Sequence, residues 1–262
     1  MEKAVSDAPG KDPGTSSVLA AAALFAGLCR LVPVPLLDRI LLRQVHKRMT
    51  ASILNLHDIP CTASALFPLY KSGHGCLVSL LRMIFFHPFM LAARIFRRIL
   101  RWLFFPLLIR DAALEMGRTI LMGHTIERCL LDSRIKVPEP GNWKSSKTAL
   151  RSASKCRRKF NRAFKGSDLR FIVHLFRGTV ISMRRVPGLV QTAVQIIRST
   201  DNSDIQDGLE NLEKKETSRS SMLQKEIINA MNNQQMQAYI KRFDARFDEK
   251  WYGRKGIPAE NK

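Results

Sequence analysis

The chain has 262 residues, enough for one large domain or two small ones with a sizeable core, and its 45% hydrophobic content excludes a wholly disordered polymer. Its 43 Lys and Arg against 22 Asp and Glu give a formal net charge of +21, which points to a polyanionic counterpart: phospholipid headgroups, nucleic acid or an acidic protein. Five cysteines, an odd number at irregular spacing, exclude a disulfide framework and favour a reducing compartment.

Residues 1–17, with Glu2, Asp7, Asp12 and interleaved Gly and Pro, read as a disordered tail. They lack the basic start of a secretory signal and the Arg-rich, acid-poor character of a transit peptide. The first predicted helix, residues 18–31, is rich in alanine and stops at Pro33 and Pro35, which force an extended turn. The second, residues 36–56, carries Leu37, Ile40, Leu41, Val45, Met49 and Ile53 at helical spacing, with Arg39, Arg43, Lys47 and Arg48 off that stripe. A short connection predicts an antiparallel hairpin. The order Ala20-Ala21-Ala22, then Pro33-Val34-Pro35-Leu36-Leu37-Asp38, then Gln44 and Met49 resembles a bacterial membrane-associated helical-hairpin domain family of poorly defined function, sometimes fused to small GTPases. The resemblance covers about residues 20–49, implies membrane association through a helical hairpin, and brings no catalytic residues; the chain departs from the pattern at Arg30 and lacks the glycine-rich turn that follows it.

Residues 57–75 read as an irregular link containing Pro60, Pro68, Gly73 and Gly75. From Ile59 to Arg110 there is no acidic residue, yet the stretch is strongly apolar. Two predicted apolar helices lie within it, residues 76–86 and 89–105. Arg94, Arg97, Arg98 and Arg101 form the polar side of the latter, beside Phe96, Trp102, Phe104 and Phe105. Aromatic and cationic side chains on one helix suit an interfacial position, with guanidinium groups among lipid phosphates. No run reaches the ~20 apolar residues that span a bilayer, because Arg30, His87, Pro88 and Pro106 interrupt them. A peripheral or re-entrant position therefore fits better than spanning.

The fifth helix, residues 107–131, alternates Ile109, Ala113, Met116, Ile120, Ile126 and Leu130 with Asp111, Glu115, Arg118, Glu127 and Arg128, the pattern of an amphipathic bundle helix with a salt-bridged face. Val137-Pro138-Glu139-Pro140-Gly141-Asn142 is the clearest linker, and residues 134–146 the expected boundary between an apolar helical region (18–133) and a basic helical region (147–255), before a short disordered tail (256–262). The charge changes there too, with 16 basic and 2 acidic side chains in residues 134–199. In the helix predicted over residues 144–165, Lys144, Lys147, Arg151, Lys155, Arg158, Arg162 and Lys165 follow steps of three and four, which set seven cations on one stripe. Helices are expected next over residues 168–184 and 187–198. After the polar turn 200–207, residues 205–251 carry sparse apolar positions (Leu209, Leu212, Leu223, Ile227, Met231, Phe243, Phe247, Trp251) that pack on the body or on a protein partner.

Reactive constellations are few. His57, Cys61, His74 and Cys76 match no zinc spacing, and there is no Cys-x-x-Cys. Asp111 with Glu115, and His124 with Glu127, share helix faces but reverse the order a di-iron bundle needs and occur once. No nucleophile elbow, metalloprotease helix or phosphate-binding glycine loop is present. The sequence thus leads to an all-α multi-helix bundle, non-enzymatic, with no cofactor or metal. It would bind anionic membrane lipids on the cytoplasmic face through Arg94, Arg97, Arg98, Arg101 and Trp102, with the 144–165 stripe as a second polyanion contact. A soluble basic protein of nucleic acid or the ribosome is the alternative, and an enzyme with an unrecognised helical site around residues 111–127 ranks last.

Overall fold

The structure is a computed structural model and describes residues 13–31, 37–61, 63–70, 106–138, 143–184 and 219–253. Among these every regular element is helical and no strand forms, so the chain is an all-α multi-helix bundle. The elements are α1 (Pro13–Leu31), α2 (Leu37–Leu56), a 3-10 segment (Ala63–Leu69) kinked at Leu66, α3 (residues 106–131), α4 (Trp143–Lys165), α5 (Leu169–Arg184), α6 (Arg219–Asn232) and α7 (Gln234–Tyr252).

The apolar run in α1 has no polar side to turn outward, and such a helix is stable only when enclosed. Residues Val18 to Ala26 are all buried. The helix begins at Pro13, five residues before the expected start, so residues 13–17 form its first turns and are not tail. Proline suits a first turn, where its missing N–H has no partner to lose. Thr15 and Ser16 are buried, and the Thr15 hydroxyl donates to Glu127 Oε1 at 2.7 Å. By length and composition, Gly14–Leu31 is one stretch long and apolar enough to cross a membrane, although the apolar run alone falls short; here most of it is enclosed by the bundle.

The expected hairpin forms. Arg30 near the end of α1 pairs with Asp38 near the start of α2 at 2.7 Å, and at the far end Leu56 lies over Gly14, so the two helices are antiparallel. The central element is α3. Its residues Ala112, Ala113, Met116, Ile120, Leu121, Met122, Ile126 and Cys129 are buried on several sides. Glycines let neighbours approach closely: Ile172 of α5 covers Gly117, while Leu19 of α1 and Met49 of α2 cover Gly123. On the face expected to be salt-bridged, Glu115, only 4% exposed, is held by Arg30 and Arg118, while Arg110 and Asp111 remain exposed.

Among the described residues, two helix ends close in the left-handed region without a glycine. Asp58 (φ 50°) follows α2 and Ser133 (φ 53°) follows α3, both left-handed. In each case two N–H groups fold back onto the last turn: Ile59 to Leu54 O and Asp58 to Asn55 O, Arg134 to Cys129 O and Ser133 to Leu130 O. These are Schellman closures. In α7 the side chain of Asn233 caps Gln235 N at 2.8 Å, and Gly253 closes the far end.

One contiguous core includes residues from both sides of segment 134–146. Helix α6 lies on α1, with Gln224 Nε2 donating to Ser17 Oγ at 3.1 Å, and α7 lies on α4, with Phe160 and Phe243 rings 5.6 Å apart. Leu223, Ile227, Met231, Phe243 and Phe247, the apolar positions read as packing on the body or on a partner, are buried in this chain's own core. The helices expected over 76–86, 89–105 and 187–198, the turn 200–207, and Leu209 and Leu212 lie outside the described residues.

Candidate anion-binding surface

Helix α4 contains neither Gly nor Pro and carries nine basic and no acidic side chains in 23 residues. Its buried positions Ala149, Ala153, Cys156, Phe160 and Ala163 recur at steps of four and three and face the body. Small alanines bring the helix close, and the two phenylalanines Phe160 and Phe164 stack at 5.8 Å. With that side fixed, helical geometry sends the complementary stripe outward. Lys144, Lys147, Arg151, Lys155, Arg158, Arg162 and Lys165 are all exposed. Among the described residues no carboxylate pairs with Lys147, Arg151, Arg158, Arg162 or Lys165. Leu150, 40% exposed, borders the stripe between Lys147 and Arg151.

The field of this face is felt by its own members. Partial desolvation and then the charges of Arg162, Lys155, Arg158 and Lys250 lower the pKa of Lys159, whose ammonium donates to Lys250 O. Lys155 escapes part of the repulsion by lying 4.3 Å over the Trp251 ring, a cation–π contact that also fastens α7 to α4.

Arg157 leaves the stripe and turns inward. Together with Arg30, Arg39, Arg43, Arg118 and Lys165 it lines a cleft of about 500 Å³ between the α1–α2 hairpin, α3 and the C-terminal half of α4. Among the described residues Glu115 is the one carboxylate in that lining. Its Oε2 lies 3.0 Å from Arg30 and 4.0 Å from Arg118. Arg118 also donates to Asn161 Oδ1 at 3.2 Å. Burial first, and the neighbouring Arg118 second, lower the Arg157 pKa to about 10, so it remains a cation at neutral pH.

The sequence reading singled out none of these cleft residues as a group. They come from four helices, α1 to α4, and no local spacing connects one helix's residues to another's. Of the residues it did single out, Arg94, Arg97, Arg98, Arg101 and Trp102 lie outside the described residues, as do His74 and Cys76. The acidic and histidine residues of 111–127 do not converge. Glu115 faces Arg30, His124 faces Asp244 at 3.0 Å, Glu127 accepts from Thr15 and lies 3.2 Å from His57, and Asp111 is exposed. Among the described residues no group of three or more His, Cys, Asp or Glu could hold a metal ion. Cys29, Cys61, Cys129 and Cys156 are free thiols, and Cys156 donates to Cys129 across the α3–α4 interface at 3.8 Å.

No protein-family model, curated protein or solved structure matches the chain.

Proposed function

We propose that this is a non-enzymatic helical protein that binds the anionic lipid surface of a membrane, on its cytoplasmic face, through the cationic side of α4. One observation carries the reading: seven cations share one exposed helix face that has no acidic neighbour on the helix. Like charges held together repel, and the arrangement is relieved only by an anionic counter-surface. Each Lys or Arg near such a surface contributes about 1 kcal/mol, so the stripe supplies several kcal/mol within a Debye length of ~8 Å at physiological salt. Leu150 favours lipid over nucleic acid, because an apolar side chain among the cations gains by entering the acyl boundary and has no counterpart along a phosphate backbone. The acid-free, arginine-bearing stretch from Ile59 to Arg110, with Arg94, Arg97, Arg98, Arg101 and Trp102, would add a second contact of the same kind.

Vesicle flotation tests this. The full chain should float with vesicles containing phosphatidylserine and stay behind with pure phosphatidylcholine. Changing Lys147, Arg151, Arg158 and Arg162 together to Gln should weaken the anionic binding by about a thousandfold, four contributions of ~1 kcal/mol. Equal flotation on neutral vesicles, or unchanged binding by the variant, overturns the proposal. Tight, steeply salt-dependent RNA binding without vesicle binding would replace it with the nucleic-acid reading.

A further inference from the structure

We propose that the cleft between α2, α3 and the end of α4 is a binding site for a phosphate-bearing group, carried either by a soluble phosphorylated small molecule or by a lipid headgroup. The assignment rests on the cleft residues alone and does not depend on how the outer face of α4 is used.

The case begins with charge. Among the described residues six cations line the cleft, and the carboxylates near them are engaged: Asp38 and Glu115 both bind Arg30, at 2.7 and 3.0 Å. Arg39, Arg43, Arg157 and Lys165 are left with no carboxylate partner among the described residues. Four uncompensated cations around one concavity call for more than a single negative charge. A phosphate monoester or a clustered phosphodiester headgroup supplies it, whereas a lone carboxylate does not. Divalent cations are disfavoured by the same field.

Geometry agrees. Guanidinium groups present paired N–H donors that match phosphate oxygens, and three of the five cleft arginines, Arg43, Arg118 and Arg157, come from helix interiors. Arg118 is held in place by Asn161, and Arg43 is held over the Phe67 ring at 4.8 Å. Among the described residues Arg157 Nη1 meets Met122 Sδ at 3.4 Å, a weak acceptor that an anion would displace with gain. The volume lies in the range of small-molecule sites. Leu42, Phe164 and Tyr70 give part of the wall an apolar character, suited to the glycerol or ring portion of such a ligand. His46 at the back is buried and held neutral, so it adds a polar contact and no further charge.

The test uses the full chain at constant ionic strength, with glycerol 3-phosphate and sodium acetate as soluble probes and vesicles of phosphatidylcholine with or without phosphatidic acid. Two variants separate the surfaces: Arg43→Gln with Arg157→Gln in the cleft, and Lys147→Gln with Arg151→Gln on the outer face. Should the cleft pair fail to fold, Arg39→Gln, an exposed position, replaces it. If glycerol 3-phosphate binds, acetate does not, and the cleft variant weakens the binding at least tenfold while the outer-face variant leaves it unchanged, the site takes soluble phosphates. If only phosphatidic acid vesicles bind, again with the tenfold loss confined to the cleft variant, the source is a lipid headgroup. Binding that is unaffected by the cleft variant, or lost equally in both variants, or absent with every probe, overturns the assignment. The last outcome leaves the phosphatidylserine experiment on the outer face with its own separate result.

Discussion

His46 sits on α2 with 5% of its surface exposed, its Nε2 lying 3.2 Å from Thr119 Oγ1. Burial first, then the charges of Arg157, Arg118 and Arg30 on three other helices, push its pKa well below 6.5. The unfolded chain therefore takes up a proton near pH 6.5 that the folded protein refuses. The stability tied to this residue is complete above that pH and is lost as the pH falls beneath it, by up to about 1.4 kcal/mol per pH unit. Urea unfolding at pH 7.5 and 5.5 should show this loss, and His46→Gln should shrink the difference between the two pH values. An unchanged difference would show that the ring is already protonated in the folded state. The same three arginines that hold His46 neutral belong to the cleft, so a bound anion should ease its protonation.

At the scale of the helix, the tight points are glycine contacts and left-handed caps. A Cβ added at Gly123 would lie 2.1 Å from Leu19 Cδ2 and 3.1 Å from Met49 Sδ, a clash on two sides. Gly123→Ala should lower stability by about 1–3 kcal/mol. Ser133 has the opposite potential: it holds φ at 53°, where glycine is unstrained, so Ser133→Gly should raise stability by about 0.5–1 kcal/mol. Thermal unfolding of the two variants should move the midpoint in opposite directions. These helices also mark how far the sequence could be read. The bounds of α2, α4 and α5 follow from local periodicity and lie within a residue of the expected ones. The outward stripe of α4 was legible for the same reason, since a helix converts spacing directly into a face. The burial of α3 was not. Its Glu115 and Glu127 read as members of a face bridged within the helix, whereas their partners, Arg30, 85 positions away, and Thr15, 112 positions away, come from α1. Nor could the cleft be foreseen, because Arg30, Arg43, Arg118 and Arg157 meet only after four helices pack. The helix start at Pro13 was missed because Thr15 and Ser16 read as polar tail, while the bundle gives them partners and cover.

Across the whole molecule, early and late segments depend on each other. The buried helix α1 is covered partly by α2 and α3 and partly by α6, and α7 closes the inner side of α4. A chain ending at residue 218 would strip Phe160 of the Phe243 ring and Ser17 of Gln224. We expect such a truncation to form soluble aggregates or precipitate, visible in size-exclusion chromatography. A monomeric peak with cooperative thermal unfolding would show instead that residues 13–184 are stable alone.

The contact between Gln224 and Ser17 has a consequence for how the protein is made. A nascent chain grows at about 5–20 residues per second, so α1 waits on the order of 10–40 s after leaving the ribosome before α6 is synthesised. During that interval an alanine- and leucine-rich cylinder, long enough to cross a bilayer, stands without its native lid. Until then α2 and α3 give it partial cover, and a chaperone or a nearby lipid surface would shield the side that α6 later closes.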